Sequence, residues 1–237
     1  MHVVRGSVAN VDADRRVTRE LASVVQRTER PGVRVWTPPR QVAFGRRDAA
    51  ADGYARARQA AADRGYEPIE RRVGGRAVAY TGETLAFVHA VPTGGTRTGI
   101  EDRYEAATAT LGAALEAVGA DVRPGEPPAA FCPGDHSLRA DGKVAGVAQR
   151  VRRGVALVGG CVVVAAGDET DIAGVLESVY GALGVGFDPD TIGSVERAGG
   201  PADPDAVAAA VEQAFVDARE AEHRSATAML GDQGRDA

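Results

Sequence analysis

Lysine is nearly missing from this 237-residue chain: of its 28 basic residues only Lys143 is lysine, and the other 27 are arginine. A GC-rich coding bias produces such a ratio everywhere in a chain. Under that bias a retained lysine marks a place where a compact ammonium on a flexible stem does what a planar guanidinium cannot. Cysteine is scarce too, with Cys132 and Cys161 the only two. Two thiols and no basic-then-apolar leader read as a cytoplasmic, reducing compartment rather than a disulfide scaffold. The longest apolar run, Val155–Ala166, has twelve residues and two glycines, too short to cross a bilayer. No HExxH or paired-cysteine spacing surrounds His2, His89, His136 or His223, so no metal site is expected. A net charge of −5 argues against a generally basic nucleic-acid surface.

What is present is ordinary globular material. Hydrophobic residues make up 44% and charged residues 26% of the chain, and such a length buries a full core without staples. Apolar residues at helical spacing predict helices over Asp14–Arg27, from Ile100 to Val118, from Thr170 or Asp171 to Leu183, and near Asp205–His223. Asp48 is expected to cap an alanine-rich helix that stops near Gly65. Strand-like pieces are Gly32–Trp36, Gln41–Phe44, Pro68–Arg72, Arg76–Tyr80, Leu85–Val91, His136–Ala140, Val144–Val151 and Val155–Ala165. Hairpins are expected through Thr81-Gly82-Glu83 and through Asp141-Gly142. The predicted fold class is α+β: one domain with a mixed, mostly antiparallel sheet flanked by helices. Residues 1–30 read as an N-terminal extension with a helix, 31–224 as the domain proper, and 225–237 as a frayed tail.

Three stretches carry candidate chemistry. Phe131-Cys132-Pro133-Gly134-Asp135 follows a proline-rich loop and precedes a strand, a place where a thiol can meet a substrate. A cation or base nearby would favour its thiolate, although free cysteine is as often a small buried hydrophobe. Cys161, inside an apolar strand, reads as structural. His136 could serve Cys132 as a base only if the chain turns at Pro133-Gly134, because four extended residues span about 13 Å. In Arg71-Arg72-Val73-Gly74-Gly75-Arg76 the paired glycines let a backbone approach a ligand, and the arginines could hold an anion. An exposed arginine turn explains that loop nearly as well. In Asp141–Gln149 the single lysine sits just past a turn, and Ala145, Gly146 and Ala148 leave room beside the strand. The plain alternative is a surface lysine on a hairpin.

Taken together, the stretches resemble the lipoate/octanoate protein ligase and transferase superfamily, which includes biotin protein ligases, with Arg71–Thr81, the strand Leu85–Val91 and Gly142–Gln149 in that family's order. Arg71–Thr81 looks like its RR-x-GGG-x-V loop. Gly142–Gln149 looks like its G-K-x-x-G-x-A-Q motif, whose lysine is the active-site lysine. The resemblance covers about Val33–Ala165, and Phe131–Asp135 resembles the cysteine loop of the octanoyl amidotransferase branch. Val73 departs from the pattern, standing where a small residue is common. The resemblance implies a biotin/lipoate protein ligase-like catalytic domain with an apolar slot for an eight-carbon chain. It makes Cys132 the nucleophile and puts Lys143 on the acyl carbonyl oxygen. The implied substrate-binding set is Arg72, Gly74, Gly75, Arg76, His89, Gly146 and Ala148, although His89, inside a strand, reads on its own as structural. The implied activity is octanoyl or lipoyl transfer to lysines of lipoyl domains through a Cys132 thioester, with no cofactor required. The implied partners are lipoyl domains of 2-oxoacid dehydrogenase E2 subunits, with glycine cleavage H protein or acyl carrier protein as donor. Two alternatives stand beside it. One is a lipoate–protein ligase using ATP and Mg to make a lipoyl-adenylate, with Cys132 incidental. The other is a non-catalytic module that binds lipoyl domains.

Overall fold

The computed structural model describes residues 1–71, 75–94 and 98–231. The chain opens with strand β1 (His2–Arg5) and helix α1 (Val11–Thr28). The Asn10 side chain caps α1 by accepting from the Ala13 N–H at 2.8 Å, and Asp12 and Asp14 lie in its first turn. Strands β2 (Gly32–Trp36) and β3 (Gln41–Phe44) come next. Short helix α2 (Arg46–Ala49), helix α3 (Tyr54–Asp63) and strands β4 (Glu67–Glu70), β5 (Val78–Tyr80) and β6 (Leu85–Pro92) follow. The second half holds helix α4 (Ile100–Ala117) and strands β7 (Arg123–Pro124), β8 (Ser137–Arg139), β9 (Lys143–Arg152) and β10 (Val155–Val162). It closes with α5 (Ala166–Leu183), α6 (Pro204–Val216), β11 (Glu222–Ser225) and α7 (Ala226–Gly231).

Eight strands form one sheet in the order β11-β1-β2-β6-β10-β9-β8-β7, and a second sheet runs β4-β3-β5. In the large sheet β1 is parallel to both neighbours and the other pairings are antiparallel. Period-two alternation sends Val33, Val35, Leu85, Phe87, Val158 and Val162 to one face, where α4 and α6 cover them. On the other face Val88 and Ala90 meet α1 and α7, while Cys161 and Val163 meet α3, α5 and the small sheet. Each fully buried aliphatic side chain contributes about 1.5–3 kcal/mol. Between α1 and the small sheet that second face is left open as a trough.

The mixed, mostly antiparallel sheet matches expectation, and several local readings do not. Arg76–Tyr80 and Leu85–Val91 do not form a hairpin: β5 pairs with β3, whereas β6 pairs with β2 and β10. The link between them is a chain of threonine hydroxyl contacts, Thr81 to Thr84 and Thr81 to Asp168, that carries the backbone from one sheet to the other. Residues 1–30 are no appendage, because β1 lies inside the large sheet and Val17, Leu21 and Val25 of α1 are fully buried. Asp48 does not cap one long helix; its carboxylate accepts from the Gly45 N–H at 3.0 Å within α2, and a separate α3 follows. Helix α5 starts a turn before Thr170, with Asp168 and Glu169 in its first turn. Within the expected tail, Ser225 ends β11, residues 226–231 form α7, and 232–237 lie outside the described residues. No helix among the described residues is long and apolar enough to cross a membrane.

Candidate active site

Cys132 ends the proline-rich segment that leads from β7 to β8, and its backbone has a positive φ of 42°. Non-glycine residues pay for that conformation, so surrounding groups must hold it. Three side chains do so. The Cys132 N–H donates to the Tyr180 hydroxyl of α5 at 2.7 Å, and that hydroxyl donates to the Ala77 carbonyl at 3.0 Å. Burial pushes the Tyr180 phenol well above its ordinary range, which keeps that proton in place. The Cys132 carbonyl accepts from Lys143 Nζ at 3.0 Å. The sulfur accepts from Arg71 Nη2 at 3.0 Å. Gly75, at φ +87°, closes the wall: a Cβ there would lie 2.8 Å from the sulfur. A guanidinium hydrogen-bonded to a sulfur supports negative charge on it.

Lys143, the first residue of β9, is 1% exposed. Its ammonium donates to Glu126 Oε1 at 2.9 Å and to the carbonyls of Phe131 and Cys132, each at 3.0 Å. Its nitrogen also lies 5.0 Å from the Phe131 ring centroid. An ammonium has three protons, and all three are spent on the loop that carries Cys132. Contact with an acyl oxygen therefore requires Lys143 to exchange one of these acceptors. Gly146 is small for the same reason, since a Cβ there would sit 3.1 Å from the lysine Cε.

The trough on the open face is a slot of about 470 Å³. Ala86 and Val88 of β6, Leu157 of β10 and Ala148 of β9 form its floor, and Trp36, Ile69 and Tyr80 its sides. The register Ala86–Cys161–Gly146 and Val88–Gly159–Ala148 sets small residues in adjacent rows. Arg71 lines the slot and also donates to the Cys132 sulfur, so one side chain links the slot to the thiol.

The other expected residues divide. Arg72 and Gly74 lie outside the described residues. Arg76 is committed to buried Asp48, with Nη1 3.1 Å from Oδ1. His89 is not in the slot: it points through the opposite face of β6, its ring 5.1 Å from that of Phe215, and burial pushes it down to about 4. Strand alternation explains this, since Ala86 and Val88 take the slot side. His136 stacks on Tyr104 at 4.1 Å and has Glu101 at 3.5 Å, so it belongs to α4 rather than to the thiol. Gln149 ties β9 to α4, its N–H donating to Tyr104 and its amide to the Ile100 carbonyl. Cys161 is buried, which pushes its thiol up to about 11 and leaves it inert. Tyr180 and Glu126 were not singled out in the sequence, and Arg71 was named only as one of the loop arginines that could hold an anion. Among the described residues no three His, Cys, Asp or Glu side chains converge as a metal site.

Residues 9–216 match the model of the lipoyl protein ligase A/B catalytic domain, and the chain belongs to that family. It is 35% identical over 127 residues to an octanoyl-[GcvH]:protein N-octanoyltransferase of Geobacillus kaustophilus, covering 53% of this chain and 45% of that protein. It is 30% identical over 137 residues to the protein of the same description from Oceanobacillus iheyensis, covering 57% and 49%. The matched segment spans about half the length of these relatives. In overall structure the chain is similar to lipoate-protein ligase A bound with ATP, with a TM-score of 0.74 at 17% identity, covering 97% of this chain and 92% of that one. It is also similar to a bi-partite lipoate protein ligase from Thermoplasma acidophilum, with a TM-score of 0.66 at 16% identity, covering 97% and 89%. The biotin/lipoate ligase-like fold expected from the sequence is therefore the fold of this protein.

Proposed function

We propose that this protein transfers an octanoyl or lipoyl group to lysines of lipoyl domains through a thioester on Cys132. The observation that carries the reading is the Cys132 sulfur itself. It is held in a strained loop and hydrogen-bonded to Arg71, whose side chain also lines an apolar slot. Each methylene of an acyl chain buried in that slot contributes about 0.8 kcal/mol to binding.

The sulfur, having lost its proton to solvent, attacks the acyl carbonyl of the donor. A C–S bond forms, the C–N bond of the donor's acyl-lysine breaks, and the departing amine takes up a proton from water. The acceptor lysine, as a free amine, then attacks the thioester. The new C–N bond forms, a proton leaves that nitrogen, and the C–S bond breaks to restore the thiolate. Arg71 supports charge on the sulfur, and Lys143 fixes the loop and places a positive charge beside the reacting centre. Gly75 gives the sulfur its clearance, and Gly146 and Ala148 keep the β9 side of the site open. Octanoylated glycine cleavage H protein is the donor suggested by the names of the relatives, with acyl carrier protein the other candidate. E2 lipoyl domains are the acceptors.

Exchanging one amide for another is nearly isoenergetic, so the reaction needs no nucleotide. The likeness to an ATP-bound ligase keeps a second reading in view, in which the same slot holds an acyl-adenylate. One experiment separates the two: incubation with octanoylated H protein without ATP, followed by mass spectrometry. An octanoyl adduct on Cys132, absent from Cys132→Ser, supports the transferase. Transfer only with ATP and unimpaired in Cys132→Ser removes it.

A further inference from the structure

Lys143 stands beside the residue that would carry the acyl group, its nitrogen 3.0 Å from the Cys132 carbonyl oxygen. A neutral amine in that place is a nucleophile. It attacks the thioester carbonyl, a C–N bond forms, a proton leaves the nitrogen and the C–S bond breaks. The acyl group is then stranded on Lys143 as an amide, and the site loses its ammonium. An ammonium has no lone pair and cannot make that attack. The chain holds no other lysine, so this one nitrogen decides whether an acyl group can be lost to the protein's own ε-amine.

Burial alone works against the ammonium. Lys143 is fully buried, and a charge taken out of water gives way to its neutral form unless an opposite charge faces it. The carbonyls of Phe131 and Cys132 are neutral and accept from an amine as well as from an ammonium. Glu126 alone brings a counter-charge, with Oε1 2.9 Å away. Its other oxygen is buried without a partner, and among the described residues its only ion pair is with this lysine. The remaining titratable groups around the nitrogen supply no such charge. Cys161, paired with Gly146 on β10, has its thiol pushed up to about 11 and is uncharged near neutrality. Arg139, paired with Lys143 across β8, turns to the carbonyls of Ala140 and Asp141. Asp188 and Asp190, in the turn that leads to Ile192 beside Lys143, are exposed. Arg71, on the sulfur, is itself a cation. An acylated Cys132 carries no charge, so in the thioester state Glu126 is the counter-ion left to the lysine.

We propose that Glu126 is a positioning residue that keeps Lys143 an ammonium, and so keeps the acyl group on Cys132 from passing to the protein's own lysine. The inference rests on the thioester reading and adds how that intermediate survives until the acceptor lysine arrives. The same carboxylate serves both needs of the site: the positive charge stays beside the reacting centre, and the nearest amine stays unreactive.

The single lysine makes the test direct. The full chain labelled with carbon-13 lysine gives one side-chain Cε signal, which reports the titration of Lys143 by NMR without further assignment. Glu126→Gln keeps an accepting oxygen and removes the charge, and the pH midpoint of that signal should fall by about one to three units. Glu126→Asp, with the charge on a shorter stem, should recover most of that fall. Thermal unfolding checks that each variant is folded. Each protein is then incubated with octanoylated H protein and no acceptor, treated with hydroxylamine, which cleaves thioesters and spares amides, and mapped by mass spectrometry. Wild type should lose its octanoyl group, whereas Glu126→Gln should retain it on Lys143, about tenfold or more above wild type for each unit of fall in the midpoint. Wild type held above the midpoint of its own signal, while still folded, should form the same amide, which tests the idea without a variant. An unchanged midpoint in Glu126→Gln overturns the proposal, and so does acylation of Cys132 with a lowered midpoint but no amide on Lys143. Absence of any Cys132 adduct from wild type sinks the thioester reading and the guarding role with it, while a lowered midpoint in Glu126→Gln still assigns the charge of Lys143 to that carboxylate.

Discussion

The ammonium of Lys143 donates to the main-chain carbonyl of Cys132 at 3.0 Å, so the lone lysine of the chain grips the backbone of the residue proposed as nucleophile. With Glu126 and the Phe131 carbonyl it forms one buried knot. Lys143→Ala strips three acceptors of their donor at once. Urea unfolding should show a loss of about 3 kcal/mol, together with loss of acyl transfer. Lys143→Arg should not restore either property, because a planar fork cannot meet three converging acceptors in that space.

Tyr180 holds the other side of the same residue. Tyr180→Phe keeps the ring and removes both hydroxyl contacts, at a cost of about 1–3 kcal/mol. Cys132 is then free to relax from its positive φ. The acylation rate of Cys132, followed by mass spectrometry under single turnover, should fall by more than global stability accounts for at the assay temperature.

Gly75→Ala sets a methyl against the sulfur from a backbone conformation that alanine resists. Acylation should slow by about a hundredfold, the scale of an ångström of misplacement at a reacting atom. The same substitution should cost only about 1–2 kcal/mol of stability. An acylation rate within threefold or so of wild type would show that the clearance beside the sulfur is not needed.

Ala148→Leu fills part of the slot floor. At about 0.8 kcal/mol per methylene, excluding two or three carbons lowers the preference for octanoyl over butanoyl donors about fifteen- to sixtyfold in kcat/KM. An unchanged ratio would place the acyl chain elsewhere.

His89 supplies a pH test away from the site. Burial, helped by Arg219, pushes it down to about 4 in the folded protein, against an unfolded value near 6.5. Between those values the unfolded chain binds more protons, so stability falls as pH drops through that window, by up to about 3 kcal/mol. His89→Gln should remove that part of the pH dependence, measured as the difference between the two unfolding free energies at pH 7 and pH 4.

Much of this architecture was legible because apolar periodicity reports burial, and most strands are buried. Gly32–Trp36 and Gln41–Phe44 fall where the pattern puts them. The pattern carries no information about partners, and so β5 and β6, adjacent in sequence, looked like a hairpin. β11, with the sequence Glu-His-Arg-Ser, has no apolar signal; main-chain pairing with β1 makes it a strand. At the site, Cys132 and Lys143 stood out by rarity and context. Tyr180 did not, because in the sequence it belongs to the apolar face of α5, and only its hydroxyl matters here. Arg71 is indistinguishable from its neighbouring arginine as a letter in a string, and its contact with the sulfur is set by the path of the backbone after β4. Glu126 lay in a proline-rich stretch with no period to read.

The placement of β1 also orders events in time. His2 shares a register with Glu222, so the first strand gains its second neighbour only when the last one emerges from the ribosome. Until then one row of its amides and carbonyls stays uncapped, and nascent copies crowded on one message could zip together there. Sequence-distant pairing of this kind also slows folding.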